Sequence, residues 1–149
     1  MKKFMLILFC LTLCAFAETK PAAWSEDFAA CQAKAAQLKK PIFALFTGSD
    51  WCIWCKRLEG EILSKEEFAN YAAENLILFK ADFPNAIEQS AALKAQNKEL
   101  GKKYGIRGYP TVLLLDAKGE VIGKTGYRKG GPASYVENLK SMLAKPQQP

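Results

Sequence analysis

Thr47-Gly48-Ser49-Asp50-Trp51-Cys52-Ile53-Trp54-Cys55-Lys56 (TGSDWCIWCK) sets two cysteines three positions apart, directly after an apolar run, with tryptophans before and between them. Three uses of such a pair compete. A zinc site wants four ligands, but this chain of 149 residues has no histidine and no second C-x-x-C. Once residues 1–17, with Cys10 and Cys14, are removed as the expected signal, Cys31 is the one cysteine left to join the pair. A structural staple works by restricting the unfolded chain, and the loop closed by Cys52 and Cys55 is too short to restrict much. Redox exchange fits better. Cysteines at i and i+3 in a first helical turn lie close enough to bond. The first thiol faces unpaired backbone N–H groups and the positive end of the helix dipole, which stabilise its thiolate, while the second lies a turn deeper. One cysteine attacks and the other resolves, as thiol–disulfide exchange requires.

The surrounding pattern gives the pair its setting. IFALFT (residues 42–47) is an unbroken apolar run that suits a strand buried on both faces, and residues 48–50 turn the chain into the helix that the cysteines open. That helix is expected to run, in broken form, to about Leu63. Upstream, Ser25 is read as the N-cap of a helix with Phe28, Cys31, Ala35 and Leu38 at helical spacing, ending before Pro41. On that stripe Cys31 reads as a buried, inert thiol. Downstream, SKEE (residues 64–67) has the form of a capping box restarting a helix through Asn75, and LILF (residues 76–79) is a second buried strand. Pro84 opens a mostly helical stretch ending near Tyr104 and Gly105. After a turn at residues 107–110, with Arg107 at the surface, TVLLL (residues 111–115) is a third strand. A hairpin joins it to a strand over residues 120–125. A last helix, residues 133–143, places Tyr135, Val136, Leu139 and Leu143 on one face. Alternating helices and strands indicate the α/β class, a central mixed sheet flanked by helices, here with an extra N-terminal helix.

Residues 1–17 read as a cleaved secretory signal. Lys2 and Lys3 precede an apolar run over residues 4–13 that is too short to span a bilayer, and Ala15-Phe16-Ala17 forms an A-x-A site. Lipid anchoring at Cys14 stays open as an alternative, although the large Leu13 departs from the small residue that a lipobox carries there. The expected destination is the bacterial periplasm, with one domain over residues 18–144 and a disordered tail over 145–149. Cleavage removes two lysines and no acid, so the formal charge falls from +6 to +4. Lysines spread along the chain at this mild excess do not make a nucleic-acid surface.

From residue 41 to 143 the chain resembles the thioredoxin superfamily. The resemblance rests on WCIWCK (residues 51–56) after a strand, and on KYGIRGYPT (residues 103–111), close to that family's cis-proline loop. The lead-in and preceding helix are similar to exported thioredoxin-like and thiol:disulfide interchange domains. The resemblance implies a thioredoxin fold in which Cys52 is the nucleophile and Cys55 the resolving thiol. Pro110 becomes the cis-proline beside the pair, and the Tyr109 backbone pairs with an extended substrate segment. Gly126 allows a partner's close approach, Trp51 covers the site, and Trp54 offers a contact surface. Protein thiols and disulfides are the implied substrates, a separate membrane thiol carrier the implied electron donor, and a monomer acting without cofactor or metal the expected form. One departure matters. The family buries an aspartate beneath the cysteines, and its position here is Phe46, or Leu45 with a one-residue slip. Lys80 is the counterpart of that aspartate's usual lysine partner; without the acid, proton removal from Cys55 falls to water, Glu59 or Asp82. Ile53-Trp54 between the cysteines brings no histidine to stabilise the reduced thiolate, which tilts the expectation towards a reductase. A non-catalytic binding or chaperone-like module on the same fold is the alternative.

Overall fold

The computed structural model describes residues 22–144, so the expected signal, Cys14 and the tail lie outside the described residues. Strands β1 (Trp24–Ser25), β2 (Ile42–Thr47), β3 (Ile77–Asp82), β4 (Thr111–Leu115) and β5 (Val121–Thr125) form one sheet in the order β1-β3-β2-β4-β5. β1 and β2 run parallel to β3, while β4 is antiparallel to β2 and β5 to β4. Helices α1 (Phe28–Leu38), α2 (Ile53–Leu58), α3 (Glu66–Asn75), α4 (Ala91–Lys103) and α5 (Gly131–Leu143) flank this mixed sheet. This is the expected α/β architecture.

The central strand shows why the sequence takes this form. Phe43 and Leu45 of β2 pack with Leu58, Ile62, Phe68, Tyr135 and Leu139, from the side of α2, α3 and α5. Ile42, Ala44 and Phe46 pack with Phe28, Ala35 and Leu100, from the side of α1 and α4. Both faces are covered, so every β2 position is buried and an alternating pattern has no use there. Between α2 and α3 the chain makes one π-helical turn, Glu59–Leu63, which is the break expected in that helix.

Four local expectations need correction. Ser25 does not cap α1: it lies in β1, paired with Phe79, and Asp27 is the N-cap, its carboxylate accepting from the Ala30 N–H at 2.9 Å. Ser64 does not cap α3. Its N–H closes the π turn onto the Glu59 carbonyl at 2.9 Å and its hydroxyl donates to the Gly60 carbonyl, so the N-cap position passes to Lys65, with no side-chain bond. Leu38 is exposed, because α1 is ending there with Lys39 in the left-handed region. Residues 84–90 are not helical, and α4 starts only at Ala91, capped by the Ser90 hydroxyl. The cause is a distant carboxylate: Asp50 accepts from the Asn85 N–H at 3.0 Å and the Ala86 N–H at 2.6 Å, which holds this segment against the turn before the cysteines.

Those bonds, from Ala86 first and Asn85 second, hold the Asp50 carboxyl below the usual carboxylate range. A group with a depressed folded pKa stabilises the fold fully above its unfolded value, near 4, and loses that contribution as pH falls through the folded value. NMR is expected to show the amide protons of Asn85 and Ala86 titrating together below about pH 4. Flat profiles for both amides would contradict this account of the loop.

Candidate active site

The site is built where β2 hands over to α2. Cys52 is the N-cap of α2, in extended conformation with φ −83° and ψ 107°. Its N–H donates to the Gly48 carbonyl at 2.9 Å, and its Sγ accepts from the Cys55 N–H at 3.2 Å. This is the bond an N-cap side chain makes, with sulfur in place of the usual oxygen. Cys52 and Cys55 are joined in a disulfide, with their Cα atoms 5.2 Å apart. The two cysteines are almost equally buried, at 6% and 5% exposure, so access alone does not divide their roles. The hydrogen bond does: a donor aimed at Cys52 Sγ favours charge on that sulfur once the pair is reduced.

Trp51 lies folded back over the turn. Its indole N–H donates to the Phe83 carbonyl at 2.8 Å, and its ring meets Tyr109 edge-on with centroids 5.8 Å apart. Gly48 makes this placement possible, because a Cβ there would stand 2.4 Å from the indole. Tyr109 is half-buried between Trp51 and Phe83, and burial pushes its hydroxyl pKa up. The peptide bond from Tyr109 to Pro110 is cis. Gly126 follows β5 at close range, since a Cβ there would meet the Pro110 carbonyl oxygen at 2.9 Å. Trp54 is exposed, tilted against Tyr127 at 5.4 Å, with the Arg57 guanidinium 4.9 Å from its ring centre. The Tyr127 hydroxyl donates to Glu61 at 2.6 Å.

Beneath the pair, a cavity of about 440 Å³ is lined by Cys55, Glu59, Lys80, Lys56 and Leu45, among others. The period of two along β2 settles which residue stands under the cysteines. Leu45 faces this cavity, whereas Phe46 packs on the opposite side of the sheet. Leu45 pairs in register with Lys80 on β3, which brings that lysine to the same opening. Of the two acids considered for Cys55, Glu59 lines the cavity and Asp82 does not. The Asp82 carboxylate is already engaged by the Ser49 N–H at 2.9 Å and the Ser49 hydroxyl at 2.5 Å.

Cys31 sits apart, in the core on the α1 side of the sheet, its thiol directed to the Leu78 carbonyl at 3.8 Å; burial pushes its pKa up. The structure therefore gathers Trp51, Tyr109, Pro110 and Gly126 in adjoining loops around the pair, with Trp54 on the first turn of α2 and Glu59 and Lys80 at the cavity. Tyr127, Arg57 and Phe83 belong to the same assembly and were not singled out from the sequence. Tyr127 adjoins Gly126, which was the one available signal; Phe83 and Arg57 carried none.

Comparison with known proteins agrees with this geometry. The model of the thioredoxin-like domain family matches residues 28–135. Disulfide bond reductase DsbH of Chlamydia pneumoniae is 36% identical over 131 residues, covering 85% of this chain and 78% of that protein. Thiol:disulfide interchange protein DsbD of Yersinia enterocolitica is 32% identical over 117 residues, 76% of this chain but only 19% of DsbD. The solved structure of a DsbH oxidoreductase superposes with a TM-score of 0.80 at 35% identity, covering 83% of this chain and 85% of that one. A bonded C-x-x-C pair on this scaffold makes the protein a disulfide oxidoreductase, and the chain belongs to the thioredoxin-like domain family.

Proposed function

We propose that the protein is an exported reductase of protein disulfides, acting in the bacterial periplasm as a monomer. The observation that carries this reading is the Cys55 N–H bonded to Cys52 Sγ at the start of α2, which supports Cys52 as the attacking sulfur of the pair. Two further features support the direction of electron flow. The similar Chlamydia protein is named a disulfide bond reductase, and Ile53-Trp54 supplies no histidine to stabilise the reduced form. The segment over residues 1–17 supports export.

In the reduced protein, the Cys52 thiolate attacks one sulfur of a substrate disulfide. That S–S bond breaks, a mixed disulfide to Cys52 forms, and the released substrate sulfur takes up a proton. Cys55 then loses its proton to Glu59 across the shared cavity, directly or through water, and attacks Cys52 Sγ. The second substrate thiolate leaves, and the Cys52–Cys55 disulfide is restored. Two electrons have passed to the substrate, and a membrane thiol carrier supplies two more, reducing the Cys52–Cys55 disulfide as its own dithiol is oxidised. Lys80, in the position opposite Leu45, lines the same cavity as Glu59. Tyr109 and Pro110 present backbone to an extended substrate segment, and Trp51 shields the sulfurs.

Reduction of insulin by dithiothreitol, followed by turbidity, tests this directly. The protein is expected to accelerate precipitation well beyond dithiothreitol alone. A folded protein that gives no acceleration would return the domain to the binding or chaperone-like reading. Glu59→Gln is expected to slow turnover on the order of 10²-fold by stalling the second step, so that the mixed disulfide accumulates in quenched, alkylated samples. Unchanged turnover in this variant would hand the proton to solvent instead.

A further inference from the structure

Three segments meet around the cysteine pair: the turn leading into α2 with that helix's first residues, the cis-proline loop and the loop after β5. Their contacts fix them as neighbours. Trp51 touches Tyr109, Gly126 lies against Pro110, and Trp54 packs on Tyr127. These segments carry five exposed cations: Lys56 and Arg57 on α2 beside the cysteines, Arg107 before the cis-proline, and Arg128 and Lys129 after Gly126. The acids nearest Lys56 and Arg57 in the chain are Asp50, Glu59 and Glu61. Asp50 is bound by backbone N–H groups and Glu61 accepts from Tyr127, so two of the three are occupied within the fold. Among the described residues the ion pair formed is Lys140–Glu137, on α5, and none of the five cations has an acid within bridging distance. Large apolar surface is exposed in the same place, at Trp51, Ile53 and Trp54.

Lys56 donates to the Asp50 backbone carbonyl at 2.8 Å, so its charge, like the other four, meets no carboxylate. Exposed cations without acidic partners raise the local concentration of opposite charge and speed encounter with it, and exposed aromatics between them provide contact area. A guanidinium stacked on an aromatic face, as Arg57 is on Trp54, retains donors for a carboxylate. We propose that this face selects a protein partner whose disulfide lies in an extended, acidic segment, with carboxylates flanking the reactive cysteine and an apolar side chain for the Trp54–Tyr127 shelf. The proposal rests on the exchange reading above and names the partner chemistry of that same site. The positive rim also favours the departing substrate thiolate, so selectivity and rate act in the same direction.

The test is a set of extended peptides joined through one disulfide to an uncharged thiol, identical except for acidic, neutral or basic flanks. Their reduction by the protein, with dithiothreitol as electron source, is measured at low and high salt. The acidic peptide is expected to react on the order of tenfold faster than the basic one at low ionic strength. The gap should close towards 1 M salt, where screening acts within about 3 Å. The double variant Arg107→Glu, Lys129→Glu is expected to reverse the order of the two peptides. Equal rates for all three flanks, with the neutral peptide still reduced, would overturn this proposal and leave the exchange reading intact. No reduction of any peptide would sink the exchange reading instead. Sedimentation with anionic lipid vesicles, together with equal peptide rates, would assign the cationic rim to a membrane surface and overturn the proposal as well.

Discussion

Replacing Cys52 with serine is expected to lower turnover of a protein disulfide on the order of 10⁴-fold or more, because no other group can form the mixed disulfide. Cys55 is not expected to substitute, because the N–H that favours a thiolate is its own and is directed at the sulfur of position 52. Cys55→Ser has a different signature. It leaves the first step intact and removes the resolving thiol, so a covalent adduct with substrate should accumulate and disappear on adding excess dithiothreitol. Non-reducing gels and intact-mass measurement read both outcomes. Comparable turnover in Cys52→Ser would remove the nucleophile assignment, whatever the fate of the fold.

Phe43→Ala is expected to cost about 3–5 kcal/mol, a large part of the roughly 5–15 kcal/mol available to a domain of this size. Phe43 has 0% exposure in the middle of the sheet, with Trp24 and Phe68 meeting its ring edge-on at 5.9 and 5.3 Å. No neighbour can close the space without leaving its own packing. Thermal unfolding followed by circular dichroism should show the midpoint falling on the order of 10–20 °C. Leu38→Ala is the control, because Leu38 lies exposed at the end of α1, and its midpoint should move little. A fall of only a few degrees for Phe43→Ala would mean that β2 is not the centre of the core.

The strands were legible because burial on both faces writes them as continuous apolar runs. IFALFT and TVLLL both read correctly, and so did the hairpin after Asp116. The cysteine pair was legible because its chemistry depends on local spacing. What escaped reading was set by distant partners. β1 is only two residues long, too short for any period to register, and it exists because β3 offers a parallel edge. Residues 84–90 have helix-compatible composition but answer to Asp50, and no local pattern reveals that bond. The caps misled for a related reason. Ser25 and Ser64 are of the capping residue type, yet one is taken by a strand and the other by the π turn. Under the cysteines the sequence left Phe46 and Leu45 both open, and only the sheet's two-residue alternation assigns Leu45 to the cavity. Trp54 and Tyr127 illustrate the same limit at the site itself: their contact joins α2 to the loop after β5, and neither residue's surroundings in the chain point to the other.

The reduction potential of the Cys52–Cys55 pair bears most directly on the claim that the protein is a reductant. Equilibration in graded thiol/disulfide buffers, followed by alkylation and mass measurement, gives it without reference to any particular substrate. A reductant of the thioredoxin kind lies near about −270 mV and a strong oxidant near about −120 mV, a difference of roughly 7 kcal/mol. The apolar Leu45 beneath the pair and the absence of histidine between the cysteines predict a value at the reducing end. A value at the oxidising end would contradict the account and make the protein a disulfide donor.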